Sequence, residues 1–130
     1  MPFIDTNILV YAFSDDLRSD KAQALLTASP VISAQVLNEF ANIGRKKLAM
    51  SWPEIREAVG SILILASAVV ALDDDLTIAA LDLADHYRFS FYDALIVAAA
   101  LRAGCDQLYS EDMQAGLIVE KQLTIVNPFL

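Results

Sequence analysis

The sequence predicts an α/β protein, a three-layer α/β/α sandwich around a mostly parallel sheet of five strands. Two observations carry this. Short apolar runs of β-like composition alternate with longer stretches of helical periodicity, the pattern of repeated strand–helix crossovers. The short runs also lack polar/apolar alternation, as expected of strands covered by helices on both faces.

The first expected strand, Phe3–Asp5, ends on an acid, and a helix follows over Asn7–Phe13. A second helix spans Asp16–Ala28 and leads to strand Val31–Ser33. The helix Ala34–Leu48 carries an apolar stripe of Val36, Leu37, Phe40 and Ile43 at helical spacing. Ser51-Trp52-Pro53-Glu54 reads as a capping box with proline in the first turn, opening helix Pro53–Ala66. Strand Val69–Leu72 follows. Asp73, Asp74 and Asp75 then put negative charge at the start of helix Asp75–Tyr87, where the helix dipole favours it. The helix Tyr92–Ala103 is apolar nearly all round from Ala94 to Leu101 and is expected to be deeply buried, with Gly104 just past its end. Strands Gln107–Ser110 and Leu123–Val126 complete the sheet.

At 130 residues, without repeats or a linker, the chain is expected to form one domain over 1–130. It is 56% hydrophobic with only four glycines and four prolines, which excludes disorder. The longest apolar run, Ile62–Leu72, is interrupted by Ser67 and falls short of the roughly 20 residues a membrane span requires. No basic segment precedes an apolar stretch at the N-terminus, so no signal peptide is expected. The single cysteine, Cys105, suits a reducing compartment and a buried packing role. A cytoplasmic protein with no membrane contact is the expectation.

The acids are the informative residues. Asp5, Glu39, Asp93 and Asp112 are spread across the chain, each beside apolar sequence. Carboxylates in such settings are costly unless a cation collects them, and Mg²⁺ or Mn²⁺ does so with oxygen ligands. A metal held in this way can activate water against a phosphodiester. Asp5 ends the first strand and Ser110–Asp112 follow a later one, and ligands of open α/β sheets bind beyond the carboxyl ends of strands. Asp5 also reads as a helix N-cap, and Ser90 with Asp93 also fits a capping box. Glu111 and Asp112 are adjacent and cannot both point into one site, so Asp112 is favoured and Glu111 held in reserve. His86 is the only histidine, which leaves zinc and Cys–His catalysis without support. No glycine-rich phosphate loop or nucleophile elbow is present.

The net charge of −8 runs against the basic surface that phosphate binding normally uses. Metal would neutralise part of it. The remainder points to a basic partner, or to a local basic patch on an acidic body. Arg45, Lys46 and Lys47 form the only basic cluster. They lie beyond Glu39 on the same helix, with Lys46 two turns on, and are candidate phosphate contacts.

The segments FIDTNILVYAF, VISAQVLNEF, SFYDALIVAAALRAGCDQLYSEDM and LTIVNPF resemble PIN domains, and among these the toxin ribonucleases of VapBC toxin–antitoxin pairs. The resemblance runs from the first residues to the last and is weakest over Ala49–Leu72. It implies cleavage of RNA with Mg²⁺ or Mn²⁺, a homodimer and a cognate antitoxin; the acidic site and the net charge of −8 lead us to expect that this antitoxin places an Arg or Lys among the acids. By position it assigns Asp5, Glu39, Asp93 and Asp112 as the catalytic, metal-holding quartet, with Thr6, Asn7 and Ser110 as supporting polar residues. The intact quartet speaks against a non-catalytic, protein-binding PIN module. A PIN nuclease of RNA processing outside any toxin pair is the other reading. A haloacid-dehalogenase-type phosphatase would need a second Asp where Asn7 stands, and a receiver-type phosphoacceptor would need its Asp on a middle strand, where Asp5 ends the first.

Overall fold

The computed structural model describes residues 1–130. In chain order the elements are β1 (Pro2–Ile4), α1 (Thr6–Ala12), α2 (Ser19–Thr27), β2 (Val31–Ser33), α3 (Ala34–Lys47) and α4 (Trp52–Leu65). Then come β3 (Ala68–Val70), α5 (Asp74–Tyr87), α6 (Phe91–Arg102), β4 (Gln107–Tyr109), β5 (Ile118–Val119) and β6 (Leu123–Val126). The strand order is β3-β2-β1-β4-β6-β5, parallel throughout except for β5, which runs antiparallel to β6.

The sheet therefore has six strands where the sequence predicts five. The missed strand, β5, is two residues long and buries only Val119, too little for a periodic signal. The helix expected from Asp16 begins instead at Ser19. Asp16 accepts hydrogen bonds from the backbone and guanidinium of Arg18, which holds the chain in a turn just before α2. The edge strand β3 is also less covered than its composition suggests, with Val69 41% exposed.

Crossovers from β1 through β2 to β3 step along the sheet in one direction, and the β3–β4 connection steps back past β1. Right-handed crossovers place α1–α4 on one face and α5–α6 on the other. The packing agrees: α1 meets α2 and α3, α3 meets α4, and α5 lies along α6. The step direction reverses between β1 and β4, so a crevice opens there at the carboxyl ends of the strands.

The core is one cluster centred on the sheet, with Phe3, Ile4, Ile32, Leu108 and Ile125 fully buried. Each such side chain contributes about 1.5–3 kcal/mol by leaving water. Helix α6 buries every residue from Ala94 to Ala100, so its small side chains bring it close against the sheet. It ends at Gly104, whose φ of +73° lets the Gly104 and Cys105 amides turn back onto the carbonyls of Leu101 and Ala100. In α3, a side chain at Gly44 would meet Met50 Sδ at 3.2 Å and Ile55 at 3.5 Å, so this glycine sets the close approach of α4. The capping box at Ser51 and Glu54 forms as expected.

Candidate active site

Strand register positions the first pair of site residues. Ile4 pairs with Tyr109 across β1 and β4, so Asp5 and Ser110 leave the sheet side by side. The Asp5 amide donates to the Tyr109 carbonyl at 2.9 Å, and the Ser110 hydroxyl donates to Asp5 Oδ2 at 2.8 Å. Asp5 also caps α1 by accepting from the Thr6 amide at 2.7 Å. The helix-cap reading and the site reading of Asp5 therefore hold together.

The other acids arrive on helices and a turn. Glu39 lies in α3, which Ser33 caps directly off the end of β2. The Thr6 hydroxyl donates to Glu39 Oε1 at 2.6 Å. Asp93 sits in the first turn of α6, where the Ser90 hydroxyl accepts from its amide at 3.4 Å. Only this half of the expected Ser90–Asp93 capping box forms, and the Asp93 carboxylate is left to face the crevice. Asp112 follows β4 and accepts from the Asn7 side-chain amide.

All four acids line one cavity of about 300 Å³, together with Thr6, Asn7, Asn42, Ile43 and Ile96. They stand on its walls, and no three of them converge as a finished metal-binding group. A wider groove of about 470 Å³ lies between α5 and α6. Its charges are mixed, with Asp82 and Glu120 beside His86 and Arg102, so it does not concentrate negative charge as the first cavity does.

Electrostatics mark the acidic cavity. Burial pushes the Asp5 carboxyl up to about 6, against the pull of the Ser110 and Thr6 hydrogen bonds, and the charges of Asp93 and Glu39 add to the rise. Asp93 is also raised, first by burial and then by Asp112 and Glu39, against its hydrogen bond to Ser90. Carboxylates that resist ionisation, here chiefly through burial and to a lesser extent because other carboxylates face them, are relieved by a shared cation. The donors are all hard oxygens, with no His or Cys among them, which fits Mg²⁺ or Mn²⁺ and not zinc.

Glu111 does not enter the cavity. It pairs with Arg18 at 2.7 Å and accepts from the Tyr11 hydroxyl at 3.2 Å. Arg45, Lys46 and Lys47 are exposed in the last turn of α3. Arg45 is partly committed: its guanidinium lies 5.1 Å over the Trp52 ring and donates to the Met50 carbonyl at 3.2 Å.

Two residues escaped the sequence reading. Gln35 donates to Glu39 Oε2 at 3.4 Å and to the Tyr92 carbonyl at 3.0 Å, tying α3 to the start of α6. Asn42 lines the cavity. Both lie within one turn of Glu39 on its own helix, a spacing that could have flagged them.

The family model for the PIN domain matches residues 3–116. No curated protein matches the chain in sequence. Among solved structures, the toxin of Mycobacterium tuberculosis named VapC20, which cleaves the sarcin-ricin loop, superposes with a TM-score of 0.68 at 24% identity, over 86% of this chain and 90% of that one. A toxin–antitoxin complex from Klebsiella pneumoniae gives 0.74 at 20% identity, over 98% of each chain. The VapBC2 complex of Rickettsia felis, bound to a DNA fragment from its promoter, gives 0.64 at 18% identity, over 97% of this chain and 98% of that one. At these identities the likeness is one of fold.

Proposed function

The chain belongs to the PIN-domain family, and from that premise we propose that it is a metal-dependent endoribonuclease serving as the toxin of a toxin–antitoxin pair. The observation that carries this reading is that Asp5, Glu39, Asp93 and Asp112 line one cavity at the sheet's switch point. The fold it shares with VapC20 and with the toxin–antitoxin complexes supports the toxin role.

Asp5 and Asp93 are the principal holders of the cation, with Glu39 and Asp112 completing the negative wall. Bound Mg²⁺ or Mn²⁺ supplies charge neutralisation at the scissile phosphate and activation of water. The chain's own polar groups prepare the acids for this. Ser110 and the Thr6 amide orient the two oxygens of Asp5, the Thr6 hydroxyl holds Glu39, and Asn7 holds Asp112. Water activated by the cation would be the nucleophile, without a covalent enzyme intermediate, and the products would carry 5′-phosphate and 3′-hydroxyl ends. RNA phosphates meet Lys46 and Lys47, with Arg45 assisting.

The antitoxin is a basic partner whose Arg or Lys reaches the acids. Arginine suits best, because its planar fork can bridge two carboxylates. Exposed apolar side chains before α2 (Phe13, Leu17) and on α4 (Trp52, Leu63, Ile64) offer anchors for the rest of its segment. The working state is a homodimer. No helix is long and apolar enough to cross a membrane.

The test is cleavage of purified RNA by the purified protein with Mn²⁺. Wild type should cut, while Asp93→Ala and Asp5→Ala should lose cleavage and keep the wild-type circular dichroism spectrum. Cleavage that survives both substitutions would place the chemistry elsewhere.

A further inference from the structure

Three consecutive residues after β4 are each fastened to a different anchor. Ser110 is bound to Asp5, and Asp112 is bound to the side chain of Asn7. Between them Glu111 turns the other way and takes two hydrogen bonds from Arg18 Nη1, at 2.7 and 3.0 Å, and one from Tyr11 at 3.2 Å. Arg18 is itself fixed. Its Nε and Nη2 donate to the two oxygens of Asp16 at 2.7 and 2.8 Å, and its guanidinium lies 4.1 Å over the Tyr11 ring.

We propose that Arg18, acting through Glu111, is a positioning residue that holds Asp112 at the acidic cavity. This rests on the nuclease reading of that cavity for its consequence, though not for its geometry. Glu111 and Asp112 lie in a bend just after β4, and their side chains take partners on different sides, Arg18 and Asn7, so holding Glu111 outward fixes the bend that presents Asp112 to the cavity. The anchor is needed because Asp112 is exposed and shares the cavity with other carboxylates. Their repulsion drives it outward, and within the chain only the Asn7 amide draws it in. Glu111 thereby has a role that its neighbour's role does not suggest: it aims an acid without joining the site. Arg18 is correspondingly unavailable to RNA, since two carboxylates already occupy its donors.

An ordinary surface ion pair would have a different signature. The Arg18 side chain is 38% exposed and that of Glu111 25% exposed, and such pairs add little to stability. A positioning role therefore separates from a structural one in its readouts. The full chain would be compared with Arg18→Met, Glu111→Ala and Glu111→Gln by melting temperature, by Mn²⁺ affinity, and by the nitrogen–proton resonances of the Asn7 side-chain amide. Gln at 111 still accepts from Arg18, so it should retain most of the wild-type behaviour. Arg18→Met and Glu111→Ala should melt close to wild type, lose about tenfold in Mn²⁺ affinity, and shift the Asn7 resonances toward those of a free amide. Asn7 resonances unmoved in both variants overturn the inference, whether or not the wild type cuts RNA. Moved Asn7 resonances in a wild-type background that neither binds Mn²⁺ nor cuts RNA keep the clamp and reject the function proposed above.

Discussion

The hydroxyl of Ser110 binds the carboxylate of Asp5 at 2.8 Å although 105 positions separate them. The contact follows from the parallel pairing of β1 and β4, which delivers both residues to the mouth of the crevice. It leaves Asp5 only 6% exposed, with one oxygen on Ser110 and the other on the Thr6 amide. Burial raises the carboxyl of an acid so placed, so its charge is costly in the folded protein.

That gives the first prediction. The carboxyl of Asp5 sits at about 6, against an ordinary 3.8. A carboxyl raised on folding binds its proton more tightly in the folded state, so it favours folding at low pH and this benefit fades as pH climbs from about 4 past 6. Two units correspond to about 3 kcal/mol. Without metal, the protein should therefore melt higher at pH 5 than at pH 7. Asp5→Asn should flatten this dependence and raise the melting point at pH 7. Asparagine fits the existing bonds, since its oxygen can accept from Thr6 and its amide can donate to a rotated Ser110 hydroxyl. Equal pH profiles for wild type and Asp5→Asn would remove Asp5 as the cause.

The second prediction concerns metal. Carboxylates ~5 Å apart repel by about 3 kcal/mol at an effective dielectric near 20. Relief of that repulsion should raise the wild-type melting temperature by several degrees in millimolar Mn²⁺, as expected for a ligand well above its Kd. Asp5→Asn and Asp93→Asn should lose most of the rise. A wild-type melting curve indifferent to Mn²⁺ would count against the metal site.

Features with local or periodic signatures are legible in residue order. Strands β2 and β6 fall where composition places them, and the Ser51 cap and the Gly104 helix end are short-range chemistry. The four acids were legible because each interrupts apolar sequence. What escaped depends on distant pairing. Nothing near Arg18 announces Glu111, 93 positions away. Gln35 has no local signal that marks it as buried, yet it is packed against the start of α6. The strand β5 exists only because β6 offers it an edge.

A third prediction separates the basic residues. Lys46 and Lys47 are exposed, whereas Arg45 is held by Trp52 and the Met50 carbonyl. Replacing both lysines with Gln should weaken RNA binding and reduce the slope of log affinity against log salt by about 2. Adding Arg45→Gln should change the slope less than either lysine does. An unchanged slope in the double variant would return the cluster to a solvated helix end that merely complements the dipole.

A fourth prediction concerns inhibition. If an antitoxin Arg occupies the cation's place among the four acids, then Mn²⁺ and antitoxin compete. Binding measured by calorimetry should weaken as Mn²⁺ is raised, and changing that Arg to Ala should restore part of the nuclease activity while the complex persists. A complex in which the acids stay open to solvent, with inhibition indifferent to that substitution, would reject this arrangement.

The most direct measurement is the chemistry of the cut ends. Purified protein is incubated with RNA in Mn²⁺ or in EDTA, and the termini of the fragments are identified. Attack by water activated at Asp5, Glu39, Asp93 and Asp112 requires cleavage in Mn²⁺ alone, leaving 5′-phosphate and 3′-hydroxyl ends. Fragments ending in 2′,3′-cyclic phosphate would mean that the ribose hydroxyl attacks in place of water, and cleavage undiminished in EDTA would mean that the acidic cavity does not act as a metal site.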